Sequence, residues 1–273
     1  MTGQEIAARL KQGQPVFGTS ILADSPSWPS AAKRAGLDFV FLDTEHVARD
    51  RVLLAWMCQA YRAVGLTPII RVPKPDPFQA CVALDGGAGG IIFPYVETAE
   101  QAQTLRGAVK LRPLKGRKLA DVLSGKVQLS REESDYLTRW NQGNLMICNI
   151  ESSAAIEALD DILAVPGLDA VLVGPHDLSV NLGIPEQFDH PRFEEAVQTI
   201  IRKARARHVG AGVHFWFDVE RQAKWIRDGA TFIIQNNDIT AFQNTLAADM
   251  RRLREVAGQA PPAAPEAATG VIV

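Results

Sequence analysis

Several short apolar runs in this chain end in residues that can do chemistry. Asp43-Thr44-Glu45-His46 places three ionisable groups within four positions, and Arg71 closes the otherwise apolar Ile69-Ile70-Arg71-Val72. Glu151 follows the run Leu145–Ile150, Gly174-Pro175-His176-Asp177 follows Ala170–Val173, and His214 precedes Phe215-Trp216. Two half-buried carboxylates such as Glu151 and Asp177 suit a hard divalent cation that keeps waters or substrate oxygens, Mg²⁺ or Mn²⁺ with Co²⁺ as a further candidate. Acids are also favoured near helix starts, so a pair of helix caps fits the same two residues. A buried arginine needs an anionic partner: Arg71 serves either as a structural partner of Glu45 or as a guanidinium facing a carbonyl or enolate oxygen. His46, beside Asp43 and Glu45, has the setting of an oriented general base.

For these residues to meet, the segments between them must bring one end of every apolar run to a common rim. Candidate strands are Val16–Ile21, Phe39–Thr44, Pro68–Val72, Gly90–Val96, Leu145–Ile150, Ala170–Gly174, Gly210–Phe215 and Thr231–Gln235. Phe39-Val40-Phe41-Leu42 is apolar without alternation, as a strand covered on both faces is. Amphipathic stretches separate the strands. Leu53, Leu54, Met57, Cys58 and Tyr61 share one face of Arg51–Val64, and Phe193, Val197, Ile200 and Ile201 share one face of Pro191–Arg207. Gly36, Gly65, Gly89, Gly167, Gly210 and Gly229 are expected as helix C-caps before the next strand.

Eight strands alternating with helices predict a single (β/α)8 barrel over residues 1–258, whose chemistry gathers at the C-terminal ends of the strands. An open dinucleotide-binding sheet would want a GxGxxG turn after the first strand, and Phe17-Gly18-Thr19-Ser20 does not supply one. The glycine cluster Gly86–Gly90 precedes a strand instead of linking strand to helix, so it is no phosphate loop. Leu111–Gly143, charged and helical over Ser130–Trp140, reads as a functional insertion or lid. Residues 259–273 read as a low-complexity, disordered tail.

Composition narrows the function. The 273 residues are 47% hydrophobic and 22% charged with a net charge of −2, which gives no polyanion-binding signal and no expectation of a nucleic-acid partner. No apolar stretch is long enough for a membrane span and Met1–Arg9 has no signal-peptide core, so a cytoplasmic location without membrane association is expected. Cys58, Cys81 and Cys148 fit neither a disulfide framework nor a zinc pattern and read as free thiols.

Five segments in order, Phe41–His46, Ile70–Pro73, Ile92–Pro94, Asn149–Glu151 and Val173–Ser179, resemble those of the HpcH/HpaI aldolase family, with similarity from about Phe17 to Phe242. The resemblance implies a class II aldolase that forms or cleaves a C–C bond between a 2-oxo acid such as pyruvate and an aldehyde. It assigns the divalent metal to Glu151 and Asp177, acid/base work to His46 paired with Asp43, and the keto oxygen to Arg71. Substrate contacts then fall to Glu45, Gly174, Pro175, His176 and His214. It further implies a homo-oligomer, a hexamer built as a trimer of dimers, with the last helix exchanged between partners. The chain departs from the family pattern at Asn149 (often Gln), at His176 (often small) and after Lys115-Gly116-Arg117. No lysine ends a matching strand, which argues against Schiff-base chemistry. Two alternatives share the site: decarboxylation or another use of the same enolate, and a relative that binds 2-oxo acids without turnover.

Overall fold

The computed structural model describes residues 1–216 and 218–260; nearly all of the expected tail lies outside them. The strands are β1 (Val16–Ile21), β2 (Phe39–Asp43), β3 (Thr67–Arg71), β4 (Gly90–Phe93), β5 (Leu145–Asn149), β6 (Ala170–Val173), β7 (Gly210–Phe215) and β8 (Phe232–Asn237). They pair in parallel in sequence order, and β8 closes on β1. Around them run α1 (Gly3–Lys11), α2 (Trp28–Arg34), α3 (Arg51–Ala63), α4 (Pro77–Asp85), α5 (Ala99–Lys110), α6 (Gly116–Leu123) and α7 (Arg131–Trp140). The second half adds α8 (Ser153–Glu157), α9 (Leu159–Leu163), α10 (Pro175–Asn181), α11 (Pro191–Ala206), α12 (Val219–Asp228) and α13 (Asp238–Val256). The predicted strands are all present, β1 and β7 with the same bounds and the others with one or both ends shifted by one to three residues.

Alternation along each strand divides the apolar residues into two cores. Phe39, Phe41, Ile69, Ile147, Leu172 and Ile234 point inward with Phe232, whose ring stacks on Phe39 at 4.8 Å. Ile6 and Leu10 of α1 join this inner cluster and plug the N-terminal end of the barrel. Val40, Leu42, Ile70, Ile91, Val171 and Val213 point outward against the helices. Continuing the inward row by two positions brings Asp43, Arg71, Asn149, Gly174 and His214 to the C-terminal end. The polar rim is thus the top layer of the same packing that fills the barrel.

Interior space is tight between β7 and β8. A β-carbon at Gly212 would stand 1.6 Å from the Phe232 carbonyl oxygen, so only glycine lets the two backbones approach. Four of the expected glycine caps, Gly36, Gly65, Gly167 and Gly229, do adopt positive φ. Gly89 and Gly210 do not. Gly87 takes the left-handed position after α4, while β-carbons at Gly89 and Gly210 would meet Thr67 and Leu10 side chains at 2.5 and 2.7 Å.

The segment 111–143 is not a lid over the rim of its own barrel. It follows α5, which has already returned to the N-terminal face, and precedes β5. Asn141 there donates to the carbonyls of Lys110 and Arg112 at 3.1 and 2.8 Å, and Gly143 packs on Gly3 of α1. The three cysteines are free, with Cys58 and Cys148 buried. Among the described residues no helix is long and apolar enough to cross a membrane. The first turn of α13 lies against the barrel, whereas Phe242, Leu246, Met250 and Leu253 along it are exposed.

Gly212→Ala is expected to cost about 3 kcal/mol or more, the upper range for overpacking, because backbone and not a mobile side chain must yield. Denaturant unfolding measures it; an unchanged midpoint would mean that β7 and β8 can part here.

Candidate active site

Register decides the centre of the rim. Asp43 and Arg71 are aligned partners at the ends of β2 and β3, both facing inward, so their side chains meet. Arg71 donates from Nε and Nη2 to the two Asp43 carboxylate oxygens at 2.8 and 2.7 Å, and Glu45 Oε2 lies 3.1 Å from Nε. Nη1 is the nitrogen left without a carboxylate. Asp43 also accepts from the backbone amides of Glu45 and His46. Burial alone would raise the Asp43 pKa, but the hydrogen bonds and charge of Arg71 outweigh it and hold the carboxyl below the usual range. Glu45 goes the other way: burial raises it despite Arg71 and His46.

The imidazole of His46 is a third exposed, with Nε2 3.7 Å from Glu45 Oε2. Its expected side-chain partner was Asp43. Asp43 reaches only the His46 backbone, because Arg71 occupies both of its oxygens.

Glu151 is 2% exposed. Oε2 accepts from the backbone amide of Tyr95 at 3.2 Å and Oε1 from Asn149 Nδ2 at 2.6 Å. Burial first, and then the charge of Asp177, push its pKa up to about 7. Side-chain capping does not account for these two carboxylates, although Asp177 does stand in the first turn of α10, where an acid is favoured. Ser152, not Glu151, caps α8, and α10 begins at Gly174 without a side-chain cap bond. A β-carbon on Gly174 would stand 2.2 Å from Glu151 Oε1, so glycine leaves the space the carboxylate occupies. A pair of repelling oxygen donors, one buried and proton-hungry, fits a hard cation that completes its shell with substrate and water. Among the described residues no group of three or more His, Cys, Asp or Glu forms a closed metal site.

A narrow cleft over Arg71 is lined by Phe41, Asn149, Gly174, Pro175, His176, Asp177, His214 and Trp216. The His176 ring stacks on Trp216 at 5.2 Å, and its Nδ1 is 3.3 Å from Glu186. His214 sits edge-on to Phe41 at 5.2 Å. All ten residues singled out in the sequence therefore gather at one end of the barrel. Two were missed. Tyr95 reaches Glu151 through a backbone held at φ 52°. Arg49, its side chain fully buried, donates to the carbonyls of Ile21, Leu22 and Asp43 and clamps the ends of β1 and β2. The sequence reading had placed Tyr95 inside the fourth strand, Gly90–Val96, whereas β4 ends at Phe93; Arg49 carried no sequence signal.

The family model for HpcH/HpaI aldolase/citrate lyase matches residues 18–245. The chain belongs to this family, and it is a carbon–carbon lyase. The hydroxypyruvate/pyruvate aldolase of Agrobacterium fabrum (strain C58 / ATCC 33970) is 29% identical over 249 residues, covering 91% of this chain and 92% of that protein. An HpcH/HpaI aldolase from Desulfitobacterium hafniense DCB-2 superposes with a TM-score of 0.79 at 27% identity, covering 93% of this chain and 98% of that one. The citrate synthase SbnG gives a TM-score of 0.78 at 28% identity over the same shares.

Asp43→Asn is expected to cost about 3–5 kcal/mol, since it leaves a buried guanidinium without its main counter-charge. The folded-state pKa of Asp43 lies below the usual 3.8. Its stabilisation is therefore fully present above that pH and is lost as pH falls from there through the folded-state value. Unfolding of both proteins across the acid range should show a constant gap well above pH 3.8 that narrows progressively below it.

Proposed function

We propose that the protein is a divalent-metal-dependent (class II) aldolase joining the enolate of a small 2-oxo acid to an aldehyde, or running the cleavage in reverse. The observation that carries this reading is Arg71, buried, fixed by two bonds to Asp43 and lining the same cleft as Asn149 and Asp177. Glu151 and Asp177 would hold the cation, Mg²⁺ or Mn²⁺, which as a Lewis acid polarises the carbonyl of a chelating 2-oxo acid.

Arg71 supplies a positive donor at the oxo oxygen, where charge develops as C3 loses a proton. Asp43 prevents the guanidinium from turning with the substrate, so no reorganisation is needed at that moment. His46 Nε2 takes the C3 proton; the C–H electrons become the C2–C3 double bond and the charge moves to the oxygen facing Arg71. Glu45 steadies the imidazolium so formed. When C3 attacks an aldehyde carbon, the new C–C bond leaves an alkoxide, and His46 returns its proton there. Microscopic reversal gives cleavage.

Assembly belongs to the same proposal. Phe242, Leu246 and Leu253 of α13 are exposed, and a cavity of about 660 Å³ on the barrel flank is lined by Phe17, Trp28, Ile233, Phe242 and Leu246. Both support a homo-oligomer, a hexamer in which α13 is exchanged between partners. Light scattering on Phe242→Asp/Leu246→Asp should show a smaller particle than wild type; an equal mass would remove this support.

Deuterium uptake at C3 of pyruvate and of hydroxypyruvate, followed by NMR with Mg²⁺ or Mn²⁺ and then with EDTA, tests the reaction. Exchange should require the metal and disappear in His46→Ala. Arg71→Lys, which keeps a charge beside Asp43 but not the fork, should fall about a hundredfold or more. Exchange that survives EDTA, or that His46→Ala leaves intact, would sink the assignment.

A further inference from the structure

Three residues outside the cleft brace one of its walls, and the reaction just described uses none of them. Arg71, Asn149 and Asp177 form the polar part of the cleft, whereas Phe41, His176 and Trp216 give it ring surfaces. His176 and Trp216 stack at 5.2 Å. Phe188, outside the cleft, stands edge-on to His176 at 5.4 Å. It is seated in turn on the buried rings of Phe193 and Phe215, at 5.4 and 5.6 Å.

Glu186 and Ser179 complete the brace. Glu186 Oε1 lies 3.3 Å from His176 Nδ1, and the Glu186 backbone is in the left-handed region at φ 57°, an uncommon conformation for a residue with a β-carbon. Ser179 keeps it there. Its buried hydroxyl accepts from the Glu186 amide at 2.9 Å and donates to the His176 carbonyl at 2.7 Å. One hydroxyl thus ties together the two backbones whose side chains meet. A strained conformation that its neighbours over-determine points to a functional demand on it.

Space supplies that demand. The room left in the cleft is about 10 Å³, roughly that of one water. Phe41, Arg71 and Asn149 belong to the closed barrel and are buried, so they cannot withdraw. A longer carbon chain gains room only if the His176 ring retreats, and Phe188 and Glu186 oppose that movement. The charged groups of the cleft suit the carboxylate and oxo group of a 2-oxo acid. The ring surfaces suit the part of the substrates without charge, the carbon chain of the aldehyde.

We propose that His176 limits the length of the acceptor aldehyde and that Glu186 is a positioning residue that holds the ring in place. The preferred acceptors are then short aldehydes of the acetaldehyde class, and longer chains are turned away. The proposal rests on the aldolase reading above and adds to it which acceptors the cleft admits. A pocket wall separates chains that differ by one methylene about tenfold or more.

The test uses the full chain loaded with Mn²⁺, saturating pyruvate, and acetaldehyde or pentanal as acceptor. Wild type should favour acetaldehyde in kcat/KM by about tenfold or more. His176→Ala should raise the pentanal-to-acetaldehyde ratio about tenfold, chiefly through KM for pentanal. Glu186→Ala should raise it in the same direction, and Glu186→Gln, which keeps the size and an oxygen, should stay nearer to wild type than Glu186→Ala does. Glu186 is exposed, and each ratio is taken within one protein, so a partial loss of folded enzyme cancels. Equal use of both aldehydes by wild type, or a ratio that either alanine variant leaves unmoved, would overturn the proposal. So would a change that falls on the donor: C3 deuterium exchange of 2-oxopentanoate relative to pyruvate, without aldehyde, should keep its wild-type ratio in Glu186→Ala. Wild type that exchanges pyruvate C3 under no divalent metal and forms no product would overturn the aldolase reading itself, and this inference with it.

Discussion

The rim of this barrel is organised by one buried ion pair, Arg71 on Asp43. A guanidinium taken out of water is costly unless its partner is close, correctly oriented and itself immobile. Parallel register meets all three conditions, because it aligns the last residues of β2 and β3 and points both side chains inward. The pair then determines its neighbours. With both Asp43 oxygens occupied, His46 turns to Glu45. Burial of His214, reinforced by the charge of Arg71, lowers the His214 pKa. The positive charge of Arg71 is thus fixed in place by the fold itself.

The surrounding structure keeps that pair from shifting. Arg49 ties the ends of β1 and β2 through three carbonyls, and Asp238 accepts from the Leu22 and Ala23 amides, joining the loop after β1 to the start of α13. Glycines act by their lack of a side chain. Gly212 lets β7 approach β8 and Gly174 leaves room for the Glu151 carboxylate. Stability and site geometry thus depend on the same close contacts, so cavity-creating or crowding changes deep in the barrel will be felt at the rim.

The chain is similar in sequence to an aldolase and in fold to a citrate synthase. What the rim provides is a buried, fixed positive donor, Arg71, in a cleft that Asp177 also lines. The walls of the cleft carry His176 on Trp216 and His214 on Phe41.

Much was legible in the sequence because it is local. Apolar runs of strand length, helical periodicity and polar residues after strands are properties of neighbouring residues, and they determined the barrel and the ten residues at its rim. Pairings are not local. That Arg71 binds Asp43 with both nitrogens, that His46 faces Glu45, and that Glu151 leans over Gly174 follow from register and closure. The position of segment 111–143 on the N-terminal face follows from the direction of α5, which composition does not reveal. Tyr95 acts through its backbone at positive φ, and Arg49 through burial, so neither side-chain type marked its role. The sequence determined which chemical groups reach the rim, whereas only tertiary structure decided which of them touch and which remain available to a ligand, since contact and desolvation exist only once the barrel has closed.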